Sequence, residues 1–269
     1  MQTYSLKRVG TYPILCNIPH GSTRIPLGYR GDFRLSQADL RAQAMRLADL
    51  FSSELYDGLL RSYGGIVSTI SRMVVDVERF EDDRKEVMAK VGMGVLYTKS
   101  GDGSVIRSVS KIKRSTYLSE IYRPYHQALD SLIEACLAKH GKCLILDCHT
   151  FSSSPRPYEA DRKRPRPDIC LGTDSLHTPD HLKVTLKQKF KAEGFTVKQN
   201  SPYTGAMIPK AYYGKDGRVH SVMIEINRAL YMDEERLEKK ADFGATARTV
   251  CRIIRSSCEP FLANLNEKK

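Results

Sequence analysis

GKCLILDCHTF, residues 141–151, decides the architecture. It opens on a glycine, runs almost entirely apolar from Cys143 to Cys148, and ends in Asp147 and His149, which alternation places on one face of a strand. An apolar run of this length suits a strand of a parallel sheet covered on both faces, where no side needs to meet water. Before it, STYLSEIYRPYHQALDSLIEACLAKHG (115–141) carries apolar residues at helical spacing, with Gly141 as the stop and Pro124 marking a kink or a boundary between two helices. Helix then buried strand is the unit of an α/β protein, and the pattern repeats outward in both directions.

Toward the N-terminus, YPILCNIPH (12–20) reads as a buried strand that delivers His20 to a loop. Ser36 is placed to cap a long helix, or two, running to the Gly64-Gly65 pair. GGIVSTISRMVVDVER (64–79) predicts one or two strands ending in Asp76-Val77-Glu78-Arg79, and residues 80–113 a polar excursion or hairpin. Toward the C-terminus, PDICLGT (167–173), FTVKQN (195–200) and SVMIEINRAL (221–230) predict strands. SLHTPDHLKVTLKQKFKAEG (175–194) and the segment 233–262 predict helices. The alternation predicts one domain over residues 1–269, a three-layer α/β/α sandwich with a mostly parallel, mixed central sheet.

In such sheets ligands bind outside the carboxyl ends of the strands. His20, Asp76, Arg79, His149, Asn200 and Glu225 all end apolar runs and are drawn to that edge. Taken singly, His20 reads as a turn residue before Gly21 and His149 as a packed core histidine. His140, His177, His181 and His220 stand in helix-end or loop contexts, where exposure is usual. Glu225 inside an apolar run is harder to dismiss, because a buried carboxylate costs several kcal/mol unless a cation or metal answers it. Arg228 is near in sequence, but alternation puts it on the opposite face. Asp147 shares a face with His149 and would orient it as a hydrogen-bond acceptor. Two histidines with several carboxylates suit zinc, leaving a carboxylate over as general base.

Composition narrows the partners. The chain has 269 residues, 41% of them hydrophobic, enough for a substantial core. No run approaches the roughly 20 apolar residues of a membrane span, and MQTYSLKRVG has no apolar signal region, so a cytoplasmic protein without a membrane partner is expected. Seven scattered cysteines without a CxxC pair suggest core fillers, neither a disulfide framework nor a thiolate zinc site. The net charge of +12 is spread along the chain, with one dense patch in RPYEADRKRPRPD (156–168). It reads as a solvated basic loop, or a lid attracting a small acidic substrate, before a nucleic-acid arm. A non-catalytic, basic nucleic-acid-binding protein is the competing class, told apart by absence of metal and salt-sensitive RNA affinity. The oligomeric state is not legible.

NIPHGSTRIP (17–26), SRMVVDVER (71–79), YRPYH (122–126), DCHTF (147–151), NSPYTG (200–205) and IEINRALYMDE (224–234), in this order, resemble the N-formylglutamate amidohydrolase family. The resemblance implies a fold similar to zinc carboxypeptidases, one zinc per chain, and hydrolysis of N-formyl-L-glutamate to formate and glutamate, late in histidine degradation. A carboxypeptidase-like hydrolase of another N-acyl or peptide-like amide is the alternative within that fold. His20 and His149 become metal ligands. Thr23 stands where carboxypeptidases carry a glutamate ligand, so the third ligand comes from elsewhere: Asp49, in DLFSSELYD, with Asp76 as the competitor and Asp147 in support. Glu225 corresponds to the general base. Arg72 or Arg79 is implied for the oxyanion or a substrate carboxylate, with Arg228, Asn200, Thr204 and Gly205 as further substrate contacts. Glu78 stands where the family has a neutral amide, an acid beside the presumed anion site.

Overall fold

The computed structural model describes residues 2–264, with side chains through residue 259. In chain order the elements are β1 (Tyr4–Lys7), β2 (Ile14–Ile18), α1 (Leu27–Arg30), α2 (Gln37–Leu47), α3 (Ser52–Leu55), α4 (Asp57–Tyr63), β3 (Gly65–Ser68), α5 (Lys111–Tyr117) and α6 (Arg123–His140). They continue with β4 (Cys143–Phe151), β5 (Ile169–Gly172), α7 (Asp180–Ala192), β6 (Val197–Gln199), β7 (Val219–Asn227), β8 (Met232–Asp233), β9 (Glu238–Lys239) and α8 (Phe243–Asn264). Seven strands form one mixed sheet in the order β1-β3-β2-β4-β7-β5-β6. The centre, β3, β2, β4 and β7, is parallel. β1 is antiparallel to β3, and β5 is antiparallel to β7 with β6 parallel to β5.

Strand alternation divides the core into two layers. Ile14, Cys16, Ile18, Leu144, Leu146, Cys148, Val222 and Ile224 pack in one cluster with Leu55, Leu59, Leu182, Leu186, Val250 and Ile254 of α3, α4, α7 and α8. Leu15, Cys143, Ile145 and Val219 turn the other way, onto Leu40, Ala44, Leu129 and Ile133 of α2 and α6. Burying one such leucine side chain contributes roughly 1.5–3 kcal/mol, so the sheet is clamped from both sides and the sandwich is three-layered. All seven cysteines are buried and free, as core fillers should be. Among the described residues no helix is long and apolar enough to cross a membrane.

On the α2/α6 face the apolar alternation stops before the strands do. Asn17, Asp147, His149 and Glu225 take the next positions on that face, with Asn17 opposite Asp147 and His149 opposite Glu225 in the register. The sheet therefore turns polar on one face at its carboxyl edge.

The structure departs from the sequence expectations where tertiary contacts override local pattern. The 36–65 helix is three pieces, because the chain leaves the helix after Ala48 and Phe51 takes a left-handed φ of 64°. That break takes Asp49 out of the helix, and its backbone N–H donates to the His20 carbonyl at 2.9 Å. Gly64 and Gly65 end the helical run with φ of +83° and +144°, and a Cβ on Gly65 would come within 2.0 Å of the Cys16 carbonyl oxygen. Only glycine allows β3 to lie so close to β2.

Residues 70–79 are buried yet form no second strand. The fully buried Arg107 takes over that role: its Nε donates to the Tyr97 carbonyl at 2.6 Å and its Nη2 to the carbonyls of Met73 and Val74 at 2.7 and 2.9 Å. The helix expected from Ser115 starts at Lys111, capped by Ser110, and passes through a π-turn at Leu118–Tyr122 into α6, where Pro124 lies in the first turn. The expected helix from 233 begins instead as the β8-β9 hairpin, because the Asp233 side chain accepts from the backbone N–H of Glu235 and Arg236 at 2.9 and 3.0 Å and makes a turn.

Candidate active site

Two histidines meet at the polar edge, their ring centroids 5.1 Å apart. His20, just past β2, has Nε2 at 2.8 Å from Asp76 Oδ1. Its Nδ1 is buried without a hydrogen-bond partner, 4.0 Å from Glu78 Oε2. His149, on β4, has Nε2 at 2.9 Å from the same Glu78 oxygen and 3.0 Å from Asp147 Oδ1. His20, Glu78 and His149 each offer a ligand atom, all within 4.8 Å of one another, and form a group that could hold a metal ion. Two imidazoles and one carboxylate are a donor set of catalytic zinc, which keeps a further position open. The orphaned, buried Nδ1 fits this, since a ring nitrogen without a partner in a protein interior otherwise costs free energy.

Glu78 completes this group, while Asp49, to which the sequence pointed, sits beside it. Asp49 lies behind His149, its Oδ2 3.2 Å from His149 Nδ1 and accepting from the Thr150 N–H at 3.2 Å, and on the open side of His20, 4.0 Å from its Nδ1. Its Oδ1 faces two arginines, Arg228 Nη2 at 3.1 Å and Arg72 Nη1 at 3.9 Å. Asp76, the competitor, is fully occupied, with Oδ1 on His20 and Oδ2 accepting from Arg72 Nη2 and Tyr97 Oη, each at 2.8 Å. Each histidine is therefore backed by its own aspartate, an arrangement that fixes ring orientation at metal sites. Asp147 flanks His149 as alternation implies and also accepts from the Met207 N–H at 3.0 Å.

Charge in this buried cluster is strongly redistributed. Burial, with Asp147 adding to it, pushes the Glu78 carboxyl up to about 8. Burial likewise raises Glu225 to about 8, with Asp49 adding to it, and Glu225 Oε2 has no hydrogen-bond partner. Burial and the Arg72 cation lower His20 to about 4. Burial also works against a charged His149, but Glu78 and Asp147 outweigh it and hold the imidazole well above its ordinary range. Burial opposes ionisation of Asp76 too, and the Arg72 guanidinium overcomes it, keeping the carboxylate far below the usual range.

These shifts have a direction with pH. Between pH 6.5 and about 8 the folded state keeps protons on Glu225 and on the coupled Glu78–His149 pair that the unfolded chain has released, so stability falls as pH rises. His20 acts oppositely, but only between about 4 and 6.5. Metal-stripped protein should therefore melt at progressively lower temperature from pH 6.5 to 8, measured by thermal denaturation in chelator. A flat or rising melting temperature in that window would contradict the cluster's electrostatics.

The remaining candidates divide. Arg79 approaches the site through its Nε, 3.6 Å from Asp76 Oδ2, and pairs with Glu86 at 3.4 Å. Arg228 is buried and lies on the site side, because the chain leaves strand geometry at Asn227 and enters a short 3-10 turn, breaking the alternation that had placed it opposite Glu225. Asn200 is not brought to the cluster. β5 and β6 run against the central strands, so the end of β6 points away from their carboxyl edge, and the Asn200 side chain binds Thr173 instead. Thr204 is exposed and Gly205 has a φ of +88°. Their loop reaches the site at Met207. His177, expected exposed, is buried and bridges backbone, with Nδ1 2.7 Å from the Val219 carbonyl and Nε2 accepting from the Gly214 N–H.

The basic loop is partly internal. Arg166 is buried, bound to Glu159 and to the Ser152 carbonyl, while Tyr203 Oη donates to Glu159 at 2.6 Å. Glu78, Asn17 and Tyr97 are the site residues that sequence reasoning did not assign. The visible signal for Glu78 is its i+2 spacing from Asp76 at the end of a buried run.

A profile of the N-formylglutamate amidohydrolase family matches residues 12–232. A curated N-formylglutamate deformylase of Pseudomonas aeruginosa is 28% identical, the match covering 95% of this chain and 96% of that protein. One from Pseudomonas putida is also 28% identical, covering 84% of each. Among solved structures, N-formylglutamate amidohydrolase from Ralstonia eutropha superposes with a TM-score of 0.81 at 21% identity, covering 96% of this chain and 98% of that one. A gene product of Agrobacterium tumefaciens gives 0.70 at 17% identity, covering 97% and 95%. The chain belongs to the N-formylglutamate amidohydrolase family, and with it to the hydrolases that cut amide bonds.

Proposed function

We propose that the protein, as one domain, is a zinc-dependent amidohydrolase that converts N-formyl-L-glutamate to formate and L-glutamate. The observation that carries the metal reading is the buried, unpartnered Nδ1 of His20 facing the Glu78 carboxylate beside His149. His20, Glu78 and His149 would hold the ion, with Asp76 and Asp49 orienting the two rings. When bound there, zinc supplies Lewis acidity that polarises a carbonyl and makes water acidic near neutral pH.

The chain's own residues supply the rest. Glu225, opposite His149 in the sheet register, carries an unpartnered carboxylate oxygen and, raised to about 8 without metal, a strong affinity for a proton. It takes a proton from the attacking water as the new C–O bond forms at the formyl carbon. It returns that proton to the amine nitrogen as the C–N bond breaks, so formate and a free amino group result. Arg72 and Arg228 converge on one oxygen of Asp49 and provide the positive edge on which a substrate carboxylate docks. The net charge of +12 favours such an anionic substrate over a neutral one.

The names of the Pseudomonas relatives support N-formylglutamate as the substrate. Metal-loaded protein should release formate from N-formyl-L-glutamate faster than from N-formylglycine, and should cleave N-acetyl-L-glutamate poorly. Equal turnover of N-formylglycine would sink the glutamate assignment while leaving the deformylase chemistry standing.

A further inference from the structure

The YRPYH motif (122–126) contributes no ligand and no base, yet two of its side chains reach the segment around Glu78 directly and a third reaches it through Asn17. Tyr122 Oη donates to the Arg79 carbonyl at 2.9 Å, and His126 Nε2 lies 2.8 Å from the Val77 carbonyl. These contacts hold the backbone on both sides of Glu78. Tyr125, fully buried, donates from Oη to Asn17 Oδ1 at 2.6 Å. Asn17, also fully buried, donates from Nδ2 to Glu78 Oε1 at 2.6 Å and to Asp147 Oδ1 at 3.0 Å.

An amide has one accepting and one donating end. With the Tyr125 hydroxyl on the accepting end, the NH₂ group must face Glu78 and Asp147. Flipped, the amide oxygen would face two carboxylates with no donor between them, and the phenol would have to accept from the NH₂ group in place of donating. We propose that Tyr125 and Asn17 are positioning residues for metal capture: Tyr125 fixes the Asn17 amide, and Asn17 holds Glu78 Oε1 so that Oε2 faces His20 and His149. The inference rests on the metal reading of the site. Neither residue touches the substrate; both act through Glu78. The π-turn at Leu118–Tyr122 sets the phase in which α6 presents Tyr122, Tyr125 and His126 together.

The test is zinc affinity of the full-length, chelator-stripped protein, measured by competition with a chromophoric chelator, beside the melting temperature of each variant. Tyr125→Phe keeps the ring and loses the hydroxyl, and its zinc Kd should rise about ten-fold or more, the usual effect of losing a group that supports a ligand. Tyr63→Phe is the control. It removes a comparable phenol, which donates to Glu259 at 2.7 Å in the helical layer on the other face of the sheet. It should lose similar stability with no change in zinc affinity.

Asn17→Leu should weaken zinc as Tyr125→Phe does, and adding Tyr125→Phe to it should weaken zinc little further, because both act on one chain of contacts. Should Asn17→Leu not fold, the comparison of Tyr125→Phe with Tyr63→Phe decides alone. Wild-type zinc affinity with an unchanged affinity in Tyr125→Phe overturns this inference and spares the metal reading. A wild-type protein that binds neither zinc, cobalt nor manganese overturns both.

Discussion

Glu78→Gln protein should leave purification folded but without metal, and its release of formate should fall to the uncatalysed background. The amide keeps the shape of Glu78 and its contact with Asn17, while removing the negative charge that the donor group needs beside His20 Nδ1 and His149 Nε2. His149→Ala should do the same. Asp49→Asn is the informative comparison: Asp49 lies behind His149, so the variant should retain metal with affinity weakened by about 10–100-fold. Elemental analysis settles the matter. Full zinc in Glu78→Gln together with none in Asp49→Asn would return the third-ligand role to Asp49.

Glu225→Gln should retain its metal and lose roughly 10² to 10⁴-fold in kcat, the usual contribution of a positioned general base. Its carboxyl is buried, and one of its oxygens has no hydrogen-bond partner. A group in that state destabilises the fold, so the glutamine variant should melt no lower than wild type and can melt higher. That sign separates catalysis from structure. If Glu225 were one half of a buried ion pair, the glutamine would lower the melting temperature and leave turnover of the folded fraction intact. Zinc content, melting temperature and kcat from one preparation distinguish the outcomes, and a fully active variant would exclude Glu225 as the base.

The fold was open to reading because its central strands carry an unmixed apolar signal. KCLILDC and YPILCNI are apolar on both faces, which only a covered central strand requires, and both fall in the parallel centre of the sheet. Ends of such strands gather by topology alone, and so His20 and His149 meet although 129 positions separate them. What alternation does not encode is strand direction beyond the centre. β5 and β6 are as apolar or as short in either sense, and their reversal is what removes Asn200 from the site.

Glu78 eluded the sequence for a different reason. Residues 70–79 look like a strand, and in a strand Asp76 and Glu78 would be equivalent. The buried guanidinium of Arg107 binds the carbonyls of Met73 and Val74 and bends the segment, so that Asp76 falls behind His20 while Glu78 comes forward. A contact between residues 34 positions apart goes with Glu78, and not Asp76, facing both histidines.

The reversal of β5 has one more result. Because β4 ends and β5 begins on the same edge of the sheet, the 152–168 loop leaves and re-enters at the rim of the site, without crossing the sheet. Both its feet are pinned: Ser152 Oγ and the Ser153 N–H to the Glu234 carboxylate at 2.7 and 2.9 Å, and Asp168 to Thr196 through bonds of 2.7 to 2.9 Å. Between those feet the segment is tied inward again by Arg166, which binds Glu159 and the Ser152 carbonyl, so a change of length or composition is confined to the exposed residues 162–165. Exchange is thereby limited to one exposed turn of the rim, while the two arginines proposed to hold the substrate carboxylate stay on the fixed frame.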